Sequence, residues 1–88
     1  MPKGYSQFVD SNNKTKVILY KTVIVIFDHI NKLITLNSGG WTTMHTKKCI
    51  NIALSNTPYK VFQRDHVWYV TDGITITPYS DHMQLICQ

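Results

Sequence analysis

Eighty-eight residues and 10.2 kDa leave room for one compact domain. A chain of this size buries only about 60% of the surface it exposes when unfolded, too little to divide between two cores. Hydrophobic residues make up 43% and charged residues 16%, a folding composition that excludes a disordered tail, a coiled coil and a collagen-like repeat. Nine Lys and Arg against five Asp and no Glu give a net charge of +4 and an isoelectric point near 9.2, which biases the chain toward an anionic partner such as nucleic acid or phosphate. Ten Ile, seven Val and ten Thr point to sheet.

Residues 1–16 are polar and read as a flexible N-terminal arm, with Ser11-Asn12-Asn13-Lys14-Thr15-Lys16 as its loop. The single domain is expected over 17–88. Met1 to Gln7 contain no apolar stretch of the kind a secretory signal carries. Val17 to Phe27 is the most apolar run, at 11 residues with Lys21 inside it. A membrane-spanning helix needs about 20 apolar residues, so this run reads as one strand with both faces largely covered. Asp28-His29-Ile30-Asn31-Lys32 supplies a turn, and Leu33 to Leu36 returns as the second arm of a hairpin. Ser38-Gly39-Gly40 breaks that strand, and Thr42 or Thr43 caps a helix running to about Ser55. Thr46, Cys49, Ile50, Ala53 and Leu54 form its inward stripe, with Met44, Lys47, Lys48 and Asn51 on the opposite side. Pro58 ends it.

Tyr59 to Arg64 and Val67 to Thr71 flank the two-residue loop Asp65-His66, and Asp72-Gly73 makes a second tight turn into Ile74 to Thr77. Met83 to Ile86 adds a short edge strand. The expected architecture is α+β: an antiparallel sheet of about five strands with one helix packed on a face, in the order β-β-α-β-β-β.

Asp28-His29, Asp65-His66 and Asp81-His82 repeat a carboxylate beside an imidazole, an arrangement used in general-base chemistry. All three fall at turns, where Asp is favoured for its local backbone hydrogen bonds, and no motif places a nucleophile beside them. No catalytic residue is assigned. His45 and Cys49 are four apart on one helix, two ligands where a structural zinc site needs four. Cys49 reads as a small core residue, and both Cys49 and Cys87 as free thiols. No metal or cofactor is expected.

Ser38-Gly39-Gly40-Trp41-Thr42-Thr43 leads a strand into a helix and has the ingredients of an anion site, with Lys47 and Lys48 one turn on. It is not a phosphate-binding P-loop, whose Gly-x-x-x-x-Gly-Lys-Ser/Thr spacing is missing. A capped turn with a packed Trp41 is the alternative reading. On Tyr59 to Arg64, alternation separates Tyr59, Val61 and Gln63 from Lys60, Phe62 and Arg64. If the second set faces solvent, it joins base-stacking and phosphate-binding groups on one surface; if it faces the helix, Phe62 is core.

Leu36-Asn37-Ser38-Gly39-Gly40-Trp41-x-Thr43-x-x-Thr46-Lys47, followed by Asn51, resembles a family of small proteins encoded by tailed bacteriophages. Val61-Phe62-Gln63-Arg64-Asp65 with Trp68-Tyr69-Val70, and Pro78-Tyr79-x-Asp81-x-Met83, carry the same resemblance, over about Ile30 to Leu85. The chain departs from the pattern at Cys49 and Ile50, where relatives tend to have arginine and methionine, and at His82, where glycine is usual. The first departure removes a positive charge from the helix. The resemblance implies expression inside an infected bacterium and a cytoplasmic, non-enzymatic role. It carries no activity of its own.

Two functions of different class follow. Nucleic-acid binding is favoured by the charge, the aromatic content and the Gly-Gly-Trp helix entry, with Gly39, Gly40, Trp41, Lys47, Lys48 and Arg64 as the candidate binding residues. A protein inhibitor that blocks a host enzyme or antiviral defence complex is the alternative. Neither reading fixes an oligomeric state, since an unpaired strand edge serves a second copy as well as a partner.

Overall fold

The computed structural model describes residues 2–86. Its elements are β1 (Tyr5–Val9), β2 (Lys14–Leu19), β3 (Thr22–Asp28), β4 (Leu33–Leu36), α1 (Met44–Ala53), β5 (Lys60–Arg64), β6 (Val67–Thr71), β7 (Ile76–Pro78) and β8 (Gln84–Ile86). The α+β class and the five-stranded antiparallel sheet with one helix are as expected. The strands divide into two sheets, a larger one ordered β1-β2-β3-β4-β8 and a smaller one ordered β5-β6-β7.

The stretch expected to be a flexible arm carries β1 and the start of β2, paired from Tyr5 with Leu19 to Val9 with Thr15. As an edge strand β1 leaves Ser6, Gln7, Phe8 and Val9 exposed, so its sequence lacks the apolar pattern of a covered strand. Asp10 closes the turn by accepting from Asn12 N (2.9 Å) and Lys14 N (3.2 Å).

Val17 to Phe27 is not one strand but a hairpin, β2 and β3, turning at Tyr20-Lys21. Tyr20 takes φ 58°, a left-handed conformation costly for a bulky residue. Its N–H donates to Gly4 O at 2.8 Å. A register shift then lets consecutive residues Ile24 and Val25 both face inward, at 1% and 0% exposure. Only one face of the larger sheet is covered; Phe8, Ile18, Val23, Ile26, Leu33 and Ile86 lie on the other, none of them buried.

The core joins the covered face (Val17, Leu19, Ile24, Val25, Ile34, Leu36) to Cys49, Ile50 and Leu54 of the helix region and to Val61, Trp68 and Val70 of the smaller sheet. Thr43 caps α1 by accepting from Thr46 N at 3.2 Å, and the buried positions are those of the expected stripe. Asn51 is the exception on the polar side. Its amide donates to Val61 O and accepts from Val61 N, both at 2.8 Å, satisfying the backbone groups that edge strand β5 turns away from β6.

Ile74 to Thr77 was the expected return strand; β7 instead begins at Ile76. The Asp72 carboxylate holds Ile74 N (2.9 Å) and Thr75 N (2.8 Å), extending the turn by two residues. Asp65 and His66 form the expected two-residue loop, at φ 52° and 67°. No helix among the described residues is long and apolar enough to cross a membrane.

Replacing Asn51 with Ala strands both Val61 groups. Urea unfolding of Asn51→Ala is expected to show a loss of roughly 2–3 kcal/mol, about twice that of an ordinary hydrogen-bond deletion, with an unchanged m-value.

Candidate functional site

The Gly-Gly-Trp loop is held from three sides by its own polar residues. Asn37 Oδ1 accepts from Gly39 N (3.1 Å), and Ser38 Oγ accepts from Gly40 N (3.2 Å). Asp81 reaches across from the C-terminal segment to accept from Ser38 N (3.0 Å) and Ser38 Oγ (2.8 Å). The Tyr79 hydroxyl donates to the same carboxylate oxygen at 2.9 Å. Burial and the Asp81 carboxylate push the Tyr79 phenol well above its ordinary range. Partial burial works to raise the Asp81 carboxyl, but its three donors together hold it below the usual carboxylate range.

None of the three Asp-His pairs, among the described residues, joins its carboxylate to the adjacent imidazole. Asp28 accepts from Ile30 N, Asn31 N and Asn31 Nδ2, while His29 Nε2 meets Thr15 Oγ1 at 2.7 Å. His82 adopts φ 67°, in the left-handed region that favours glycine. His45 Nε2 lies 2.9 Å from the Lys3 carbonyl, to which it donates, and 3.9 Å from Cys49 Sγ. Burial pushes the Cys49 thiol above its ordinary value, so it is an inert core residue. Among the described residues no three His, Cys, Asp or Glu gather as a metal site. Cys87 lies outside the described residues.

The six candidate binding residues fall in three places. Gly39, Gly40 and Trp41 belong to a loop beside a cleft of about 520 Å3, which Trp41 lines with Tyr20 and Lys21. Lys47 and Lys48 line a shallow groove along α1, and Lys47 Nζ donates to Gln63 Oε1 at 3.3 Å. Arg64 ends β5. The loop and the cations therefore do not make one site.

Arg64 instead belongs to a surface that the alternation on β5 had left open. Val61 is 1% exposed and Trp68 and Val70 are buried beside it, so Lys60, Phe62 and Arg64 take the outer face. Phe62 pairs with Tyr69, and Tyr69 with Pro78. The Phe62 and Tyr69 rings stack at 5.5 Å with 24° between their planes, and neither is buried. Lys60 and Arg64, both exposed, lie two residues to either side of Phe62 on the same face. The placement of Tyr69 and Pro78 beside Phe62 comes from the strand register alone.

Charge is distributed to match. Asp10, Asp28, Asp72 and Asp81 all accept backbone N–H groups, which act to hold each below the usual carboxylate range. Lys16 with Asp10, at 3.4 Å, is the one ion pair among the described residues.

Gly39 and Gly40 both have positive φ, but a Cβ on Gly39 would lie 2.6 Å from Thr22 Cγ2, whereas Gly40 faces open space. Thermal unfolding is expected to show Gly40→Ala costing about 1 kcal/mol and Gly39→Ala roughly 2–3 kcal/mol. Thr22→Ser, which removes that methyl, is expected to restore part of the Gly39→Ala loss. Asp81, depressed in the folded state, contributes stability above the ordinary carboxyl pKa that is lost as pH falls through the folded value. The stability gap between wild type and Asp81→Asn is therefore expected to narrow from about pH 6 toward about pH 3 in urea titrations.

Comparison with curated proteins and with solved structures yields no match. Residues 5–86 match the family described as Kyanoviridae Gp96 protein. That span takes in both sheets, the helix and the Gly-Gly-Trp loop, so the chain belongs to the Kyanoviridae Gp96 family of bacteriophage proteins.

Proposed function

We propose that this phage protein is a non-enzymatic module that binds single-stranded nucleic acid in the infected bacterium, on the outer face of its smaller sheet. The observation that carries the reading is the half-buried Phe62–Tyr69 stack on the outer face of the sheet, flanked on one strand by the exposed Lys60 and Arg64. Bases stack on aromatic faces whatever their sequence, and cations at the spacing of alternate strand residues meet the phosphates between them. The engagement of four Asp carboxylates at turns or at the Ser38 loop supports it, because among the described residues only Lys16 has a carboxylate as ion-pair partner. Sequence-independent binding is the expected mode, since stacking and phosphate contacts do not read base edges.

Fluorescence polarisation with labelled single-stranded DNA and RNA across a salt series tests this. Affinity is expected to fall as salt rises, and Phe62→Ala or Tyr69→Ala to weaken it roughly 5- to 100-fold at fixed salt. Arg64→Ala and Lys60→Ala are each expected to reduce the log–log salt slope by about 0.7. Absence of binding at low salt removes the reading. The uncovered apolar face of the larger sheet, with Ile18, Val23 and Ile26 at its centre, then favours the alternative, a protein that blocks a host enzyme or defence complex.

A further inference from the structure

Five residues of the run Leu36 to Trp41 are explained by the fold. Leu36 is core, Asn37 and Ser38 hold the loop, Gly39 makes room for Thr22, and Gly40 supplies a positive φ. Trp41 is not explained. Its side chain is 66% exposed and, among the described residues, makes no hydrogen bond. It lines the cleft of about 520 Å3 with Tyr20, itself 62% exposed, and with core residues Leu19 and Ile24. That volume is the size of a small-molecule site, and such sites are mostly apolar with a few polar groups.

The cleft is also a shaped one. Tyr20 is held in the left-handed conformation at one wall, and a Cβ on Gly4 would lie 2.7 Å from its ring. On the far side of the same turn, Gly39 permits the close approach to Thr22. Two glycines thus fix the position of the β2–β3 turn against the helix start, a preorganised arrangement that lowers the cost of binding. Among the described residues Lys21 is the only Lys or Arg that lines the cleft, and no carboxylate does. This lining suits an occupant that combines a planar aromatic ring with a negative charge.

We propose that the cleft binds a small planar aromatic anion of the nucleoside monophosphate class, its ring system against Trp41 and Tyr20 and its phosphate toward Lys21. The site is separate from the sheet surface proposed for single-stranded nucleic acid and does not rest on it. Ring contact supplies affinity through burial of two exposed aromatic faces, and the lysine supplies charge selection.

The test is an amide and indole NMR titration of the full chain with AMP, UMP, adenosine and inorganic phosphate. Saturable shifts are expected at Tyr20, Lys21, Thr46 and the Trp41 indole N–H, with AMP or UMP binding more tightly than adenosine or phosphate alone. Trp41→Ala is expected to weaken AMP binding at least about fivefold, and Lys21→Ala to weaken AMP but not adenosine. Because Trp41 is exposed, the variant's own spectrum reports that the fold is kept. Its affinity for single-stranded oligonucleotide is expected to be unchanged, which separates this site from the sheet. The proposal is overturned by the absence of saturable shifts at the lining residues up to about 5 mM AMP or UMP, by phosphate alone binding as well as AMP, or by Trp41→Ala binding AMP as wild type does.

Discussion

The two hydrogen bonds between the Asn51 side chain and Val61 join the halves of this protein. A primary amide offers one donor and one acceptor in the spacing a neighbouring strand would present, so Asn51 acts on β5 as a one-residue strand mounted on a helix. That placement turns Val61, Trp68 and Val70 into the shared core. By the alternation of a strand, it commits Phe62, Lys60 and Arg64 to the outside. The aromatic face is thus the side of β5 that the shared core leaves uncovered, with the helix amide fastening the strand's edge. Nothing in β5 alone decides which way its side chains face.

The acidic residues explain the electrostatic character in the same local terms. A chain with five Asp and no Glu has few carboxylates to set against nine cations, and four of the five accept N–H groups at turns or at the Ser38 loop. Short side chains suit this role because they reach their own backbone. Longer acids would extend toward the lysines instead. The positive net charge comes from the cation count, while the way the turns are closed keeps most of these carboxylates from pairing with the lysines.

Sequence periodicity made the helix's buried stripe legible; its cap was narrowed to Thr42 or Thr43, of which Thr43 serves, and the helix ends at Ala53, two residues short of the expected Ser55. The loops at Asp28 to Lys32 and Asp65-His66 were equally plain, since their closing residues are local. The β2–β3 hairpin was hidden because Tyr20-Lys21 carries no turn signal; the conformation there is imposed by contact with Gly4, sixteen positions away. Edge strand β1 was hidden by its exposure. For the site, Arg64 was found through its charge and Trp41 through its motif, but the partners that give each a surface, Tyr69 and Tyr20, arrive by pairing and by turn geometry. The structure also shows the polar motif residues Asn37, Ser38, Thr43, Asn51 and Asp81 to be fasteners.

The Asn51 joint has one more effect, on how copies of the chain meet. A sheet grows by adding strands at bare edges, and here most edges are closed: β5 by Asn51, β7 by its brevity and by Pro78, which has no N–H, and β8 by its three-residue length. Only β1, among the described residues, offers a longer uncovered edge. Its exposed Phe8 and Val9 make it the more adhesive for that. Among the described residues the chain therefore has a single direction open to strand-by-strand stacking, and a charge placed on β1 would close it.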